Sequence, residues 1–183
     1  GLRSLEGIEV LTKAEEISVK SNFISDLTPL MGLTQLKMLN LYENEITQVD
    51  SIAHLNQITH LDLAKNKITS IAPLAEWREL HYFSVYSCYE LHDVGVVANF
   101  TKLSSLNLSF IDAPNLSMTL LDSMDNLEFL MVQGVLNSNE DLKHIGSHLS
   151  LKAITMGKND EITDLSYLSD LVNLEYLDIH SNN

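Results

Sequence analysis

The 183-residue sequence contains one cysteine, three prolines and no apolar run long enough to cross a membrane. A single cysteine, Cys88, excludes an internal disulfide framework. A membrane helix needs about 20 mostly apolar residues, and no stretch approaches that length. The first residues also lack the charged-then-apolar pattern of a signal peptide. We therefore predict that this sequence does not insert into a membrane.

Basic residues are scarce: 11 lysines and arginines stand against 25 aspartates and glutamates, for a formal net charge of −14. Neutralisation of phosphates by basic side chains supplies most nucleic-acid affinity. An acidic chain without a basic stripe is therefore predicted not to bind nucleic acid. The acidity is expected to act mainly as a solubility coat.

Motifs for common catalytic and cofactor-binding sites are also missing. There is no G-x-S-x-G elbow, P-loop, dinucleotide fingerprint, H-E-x-x-H or C-x-x-C. We predict no catalytic residue and no cofactor. Cys88 is expected to be a buried, structural thiol, since the pattern places no base beside it.

Two groups of residues that include histidines are candidate metal sites. His144 and His148 have the i, i+4 spacing that could ligate one ion, but zinc sites usually take three or four protein ligands. His60, Asp62, His81 and Tyr82 fall on neighbouring strands, where a metal or acid–base site is conceivable. An open sheet surface lacks the enclosed pocket typical of such a site. We favour a protein without a bound metal.

The sequence does contain a repeat, which is clearest in residues 36–79. Residues 36–57 read LKMLNLYENEITQVDSIAHLNQ, and residues 58–79 read ITHLDLAKNKITSIAPLAEWRE. A 22-residue period of this kind is the signature of a leucine-rich repeat solenoid. Repeats start near residues 14, 36, 58, 80, 103, 127, 151 and 174. We expect residues 1–183 to form one such domain, truncated mid-repeat at both ends.

The alternation at positions 3 to 6 of each repeat predicts a short strand whose positions 4 and 6 point inward. Those sixteen places are all apolar: Ile17, Val19, Leu39, Leu41, Leu61, Leu63, Phe83, Val85, Leu106, Leu108, Leu130, Val132, Ile154, Met156, Leu177 and Ile179. Positions 2, 3 and 5 are then expected to point outward. Trp77, Phe83 and Phe100 are predicted core residues.

Position 9 is asparagine in five repeats, which predicts a ladder of side-chain amides bonded to backbone groups. Ile111 and Val135 stand there in the fifth and sixth repeats, so the ladder should be interrupted. The return segments 112–124 and 137–148 are long enough for a helical turn or two. Asn115 and Asn139 are the caps that the sequence suggests.

Half of the twelve aromatic residues fall on outward-facing positions, which core packing does not require. Exposed aromatic patches usually mark protein interfaces. The alternative is the ordinary preference of Tyr and Phe for strands. We favour an interface, with this predicted protein-binding set: Met38, Tyr42, His60, Tyr82, Tyr86, Phe110, Phe129, Met131 and Tyr176.

Several segments resemble the repeats of bacterial internalins: LRSLEGIEVL at 2–11, ISDLTPLMGL at 24–33, ITSIAPLA at 68–75 and ITDLSYLSDL at 162–171. This resemblance implies a curved right-handed α/β solenoid, with a parallel sheet on the concave side and 3₁₀ turns or short helices on the convex side. It also implies a secreted or cell-surface protein that recognises host surface proteins, with a role in virulence.

The function expected from these observations is non-catalytic recognition of a protein partner by the concave face of a monomer. A second resemblance, in LNLYENEITQV at 39–49, is to eukaryotic protein-phosphatase regulatory subunits and implies an intracellular regulatory scaffold. Two further alternatives stay open: a substrate-recruiting arm of a larger enzyme, and a spacer with no partner.

Overall fold

The computed structural model describes residues 1–182 and contains eight strands of three residues each. The strands alternate an outward, an inward and an outward side chain, as the repeat pattern predicts. In chain order they are β1 Glu16–Ser18, β2 Met38–Asn40, β3 His60–Asp62, β4 Tyr82–Ser84, β5 Ser105–Asn107, β6 Phe129–Met131, β7 Ala153–Thr155 and β8 Tyr176–Asp178.

Eight short helical segments are described, one before β1 and one in each connection between consecutive strands. Seven are 3₁₀ turns: Ile8–Val10, Thr28–Leu30, Asp50–Ile52, Ala72–Leu74, Gly95–Asn99, Met118–Leu121 and Ser166–Leu168. The other is the helix α1, Asn139–Gly146, which packs between the last two of those turns. None of the helices described over residues 1–182 has the length and apolar character needed to cross a membrane.

The eight strands form one parallel sheet in sequence order. Their register places equal positions of all repeats in one row: Glu16 lies opposite Met38, which lies opposite His60 and so on to Tyr176. The register of the sheet therefore follows the repeat positions. The side chains at positions 4 and 6 of each repeat lie behind the sheet, where they contact the apolar side chains of the segments that connect the strands.

One continuous hydrophobic core runs along the solenoid. Phe83 and Phe100 pack edge to face with ring centroids 5.3 Å apart, and the Trp77 Nε1–H donates to the Ala53 carbonyl at 2.8 Å. These three aromatic residues are fully buried, as predicted. Leu177 and Ile179 remain partly exposed because β8 is the edge of the sheet.

The asparagine ladder at position 9 has the predicted form and the predicted gap. Asn66 Nδ2 donates to the carbonyls of Leu41 and Leu63, both at 2.9 Å, while its Oδ1 accepts from the Ile46 N–H at 3.0 Å. Ile111 and Val135 are buried apolar residues at the equivalent places. In the gap, the Ser109 hydroxyl accepts from the Gln133 N–H at 3.0 Å.

The residue at position 8 has a positive φ in all eight repeats. These residues are Ser21, Glu43, Lys65, Ser87, Phe110, Gly134, Lys158 and Ser181, with φ from 52° to 66°. A left-handed conformation is uncommon for residues other than glycine. The sequence gives no sign of it, since a single glycine occurs among the eight.

Both predicted helix caps were wrong by one or two residues. Ser117, not Asn115, precedes the turn Met118–Leu121, and its hydroxyl accepts from the Thr119 N–H. Ser138, not Asn139, is the N-cap of α1. The Asn139 side chain instead accepts from the Thr163 N–H of the next repeat at 3.0 Å.

Candidate functional site

In four repeats, the outward side chain at position 5 forms the turn by which the chain leaves the strand. Its Oδ1 accepts from the backbone N–H two residues later, so the side chain imitates a backbone turn. The same bond occurs at Asn40, Asp62, Asn107 and Asp178, at 3.0–3.1 Å. Asparagine and aspartate are therefore equivalent for building the turn.

Positions 3 and 5 of all repeats together make one surface, which we call the sheet face. Its position-3 row carries Met38, His60, Tyr82, Phe129 and Tyr176. Met38, Phe129 and Tyr176 are 38%, 42% and 54% exposed, and the His60 and Tyr82 rings stack at 6.3 Å. The smaller side chains of Ser105 and Ala153 interrupt this row on either side of Phe129. The remaining sheet-face candidate, Met131, is half-buried in the position-5 row.

A pocket of about 230 Å³ opens on the sheet face across β2, β3 and β4. It is lined by Met38, Leu39, Asn40, His60, Asp62 and Tyr82. Burial raises the pKa of the Asp62 carboxyl above its ordinary value. Burial and the neighbouring Asp62 charge both raise the pKa of Tyr82. The register predicted from the sequence makes these residues neighbours, but the partial burial of Asp62 could not be predicted from it.

The other three predicted residues, Tyr42, Tyr86 and Phe110, lie at positions 7 and 8, which we call the rim. Tyr86 and Phe110 meet edge to face at 5.8 Å, and the Lys158 ammonium lies 5.3 Å from the Phe110 ring centroid. The Lys65 ammonium lies 5.1 Å from the Tyr42 ring. Sequence reasoning missed both cation–π partners.

Gly134 explains how Lys158 reaches a ring two repeats away. A Cβ on Gly134 would lie 3.1 Å from Cδ1 of Phe110, so the ring occupies the space that a side chain would need. The signal in the sequence is the single glycine among the position-8 residues. The rim aromatics are therefore held by neighbours on other repeats.

The histidine pair on and after α1 is divided between two environments. His144 Nδ1 lies 2.8 Å from Asp122 Oδ1 of the preceding repeat. His148 is buried, and that burial lowers the pKa of its imidazole. Over residues 1–182, no three His, Cys, Asp or Glu side chains converge as a metal site would require.

Cys88 is a buried member of the ladder. Its thiol donates to the Leu63 carbonyl at 3.3 Å, and burial raises its pKa to about 11. The thiolate that reacts with electrophiles is therefore scarce at neutral pH.

A sequence model for leucine-rich repeats matches residues 12–68. No curated protein matches the sequence. Among solved structures, an internalin from Listeria monocytogenes, InlF, superposes with a TM-score of 0.86 at 27% identity, covering 97% of this chain and 51% of that one. The chain therefore has a leucine-rich repeat segment and a fold similar to that of internalin-type leucine-rich repeat proteins.

Two further structures show how widely this solenoid occurs. A leucine-rich repeat protein of Leptospira interrogans matches with a TM-score of 0.82 and 25% identity, covering 96% of this chain and 45% of that one. The ectodomain of the Arabidopsis thaliana receptor kinase GASSHO1/SCHENGEN3, in complex with Casparian strip integrity factor 2, matches with a TM-score of 0.70 and 19% identity. This match covers 96% of this chain and 25% of that one. The chain thus spans about half the length of the first two structures it matches. Leucine-rich repeat domains of these kinds are protein-interaction domains.

Proposed function

We propose that this domain is a non-catalytic recognition module that binds a protein partner through the concave side of the solenoid, the sheet face, and its rim. The observation that carries the proposal is the number of large side chains in the position-3 row, where Met38, His60 and Tyr82 are adjacent and Met38, Phe129 and Tyr176 are exposed. Patches of this kind on a soluble protein usually mark interaction sites. The likeness to internalins supports a secreted or cell-surface protein whose partner is a host surface protein.

The physical advantage of this face is that it is formed before the partner arrives. Strand hydrogen bonds fix the backbone, and stacking or cation–π contacts hold Tyr82, Phe110 and Tyr42 in place. Fewer rotamers are then lost on binding, so more of the contact energy appears as affinity. Tyrosine is prominent among the residues that dominate interface energies. We expect the domain to act as a monomer and to need no cofactor.

Site-specific photo-crosslinking tests this proposal. The purified domain carries p-benzoylphenylalanine in place of Phe129 and is irradiated with surface proteins solubilised from animal cells. The matched control carries the same group in place of Tyr167, a 38% exposed aromatic of the return Ser166–Leu168. We expect a discrete cross-linked protein from position 129 and none from position 167. Equal labelling from both positions, or from neither, contradicts the proposal.

A further inference from the structure

The negative charge of Asp62 is not needed for the turn that Asp62 makes. Its Oδ1 accepts from the Ala64 N–H at 3.0 Å. Asn40 and Asn107 make the same bond at the same distance with a neutral amide. The turn therefore requires one oxygen atom and no charge.

Asp62 also differs from the other aspartate at this position. Asp178 lies 2.6 Å from His180 Nδ1, and hydrogen bonds from His180 lower the pKa of its carboxyl. Among residues 1–182, Asp62 forms no salt bridge, and burial raises its pKa. A desolvated carboxylate without a cation is unfavourable, so its cost indicates a role outside the fold.

The residues around Asp62 restrict which positively charged group could pair with its carboxylate. The His60 and Tyr82 rings are nearly parallel, inclined by 14° with centroids 6.3 Å apart, and give the pocket an aromatic wall. Met38 adds a flexible, apolar edge. The pocket of about 230 Å³ is smaller than the ~300–1,000 Å³ typical of small-molecule and cofactor sites. It is suited to a single side chain projecting from a partner.

We propose that this pocket receives an arginine side chain of the protein partner. The planar guanidinium stacks on the Tyr82–His60 wall and donates to the Asp62 carboxylate, while its aliphatic stem lies along Met38. Lysine lacks the flat, weakly hydrated head that this wall favours. The net charge of −14 attracts a basic partner to the protein. This assignment rests on the proposed function and specifies the chemistry of the partner.

The test uses three capped tripeptides, acetyl-Gly-Xaa-Gly-amide, with arginine, its neutral isostere citrulline, or lysine at the centre. Binding is followed by NMR of the intact protein, through the methyl signal of ¹³C-labelled Met38 during a titration to millimolar peptide. We expect a saturable shift with arginine, and binding at least tenfold weaker with citrulline and with lysine.

Two variants provide the matched comparison. Asp62→Asn keeps the turn oxygen and removes the charge, and we expect it to bind the arginine peptide at least tenfold more weakly. Asp178→Asn makes the same change outside the pocket and should bind like the wild type. The assignment is overturned if arginine gives no saturable shift, if citrulline or lysine binds as well, or if Asp62→Asn retains the affinity.

The outcome is separable from that of the proposed function. If the arginine peptide does not bind but position 129 still yields its cross-linked protein, the recognition role stands and the arginine pocket is wrong. If the peptide binds but no protein is captured from position 129, the pocket stands as an arginine site and the sheet-face interface is wrong.

Discussion

At the scale of single residues, Asp62 gives the clearest link between stability and recognition. Its carboxyl pKa is raised in the folded protein, so the folded state holds this proton up to a higher pH than the unfolded chain does. Stability therefore falls as the pH rises through the interval between the ordinary aspartate pKa of about 3.9 and the raised value. Above that interval, the full cost of the buried charge is present.

Asp62→Asn is accordingly expected to be more stable than the wild type at pH 7, since it removes the charge and keeps the turn. The difference in the free energy of unfolding should shrink as the pH is lowered toward 4. Urea titrations at pH 4, 5, 6 and 7 measure it, with Asp178→Asn as the control. Because the Asp178 pKa is lowered, that change should instead destabilise the protein at pH 7. A loss of stability at pH 7 in Asp62→Asn contradicts the interpretation.

The left-handed residues at position 8 are a second residue-scale feature, and seven of them bond to the next repeat. The N–H of Ser21 donates to the Tyr42 carbonyl at 2.8 Å, and that of Phe110 to the Gln133 carbonyl at 2.9 Å. The same bond recurs at Glu43, Lys65, Ser87, Gly134 and Lys158. In these seven repeats the left-handed conformation accompanies a hydrogen bond to the next repeat, a tertiary contact that the residue types at this position do not indicate.

Substitution by glycine should consequently cost little stability at position 8 and more at a neighbouring residue whose φ is negative. In Ser21→Gly, relief of the left-handed strain, about 1–2 kcal/mol for a residue with a Cβ, offsets the greater flexibility of the unfolded chain. Ser25→Gly changes an exposed serine without a positive φ and should lose roughly 0.5–1 kcal/mol. Chemical denaturation of both variants makes the comparison. Equal losses would show that position 8 is not strained.

At the scale of elements, α1 shows why a glycine stands near a helix end. A Cβ on Gly146 would lie 2.0 Å from the Tyr167 carbonyl oxygen, so the helix and the following return touch through their backbones. Glycine is a poor helix former, so local preference gives no reason for it at this place. Its close approach to residue 167 could not be predicted, because it depends on how the two returns pack.

Gly146→Ala is expected to destabilise the protein by about 1–3 kcal/mol, the usual cost of overpacking. This cost should exceed the roughly 1 kcal/mol by which alanine favours a helix. Gly32→Ala is the matched control, since its added Cβ meets nothing within 4 Å. Thermal unfolding compares the two. A Gly146→Ala protein as stable as Gly32→Ala would refute the close packing of α1.

The ladder offers a prediction in the stabilising direction. Asn44 and Asn66 accept from the N–H groups of Ile24 and Ile46 at 2.9 and 3.0 Å. Cys88 occupies the place from which a ladder amide would accept from the Ile68 N–H, and a thiol is a weak acceptor. Cys88→Asn should restore the bond and raise the free energy of unfolding by about 1 kcal/mol. Cys88→Ser, whose hydroxyl is shorter, should not, and a destabilised Cys88→Asn would exclude a ladder amide at this place.

The helix caps mark the limit of prediction for elements. Ser138 and Asn139 are both good capping residues, so the sequence alone does not decide between them. The structure assigns Asn139 to the next repeat, where its Oδ1 accepts from the Thr163 and Asp164 N–H groups. Contacts between repeats therefore override local preference at the returns.

At the scale of the whole molecule, the period itself was sufficient to predict the solenoid, its parallel sheet and its register. Each strand needs only its own alternation and the copy next to it, so the local pattern determines the global arrangement. The nine candidate residues could be assigned to the sheet face and rim for the same reason. The contacts that hold them could not, because Lys158 reaches Phe110 across a whole repeat.

The recognition role predicts that outward aromatics contribute to binding and little to folding. Tyr82→Ala with Phe129→Ala removes two side chains of the sheet face and leaves the core behind β4 and β6 intact. Hot-spot residues each contribute about 2 kcal/mol or more to binding. The loss of one such residue already corresponds to about thirtyfold, so the double variant should bind the partner captured from position 129 at least that much more weakly.

The most direct measurement is the dissociation constant of this double variant for that partner, taken together with its melting temperature. Tyr89→Ala with Tyr167→Ala, at two aromatics outside the sheet face, is the control and should match the wild type. We predict weakened binding in the first variant with a melting temperature nearly unchanged. Wild-type affinity in a folded Tyr82→Ala, Phe129→Ala protein, or a large loss of its stability, would contradict recognition through the sheet face.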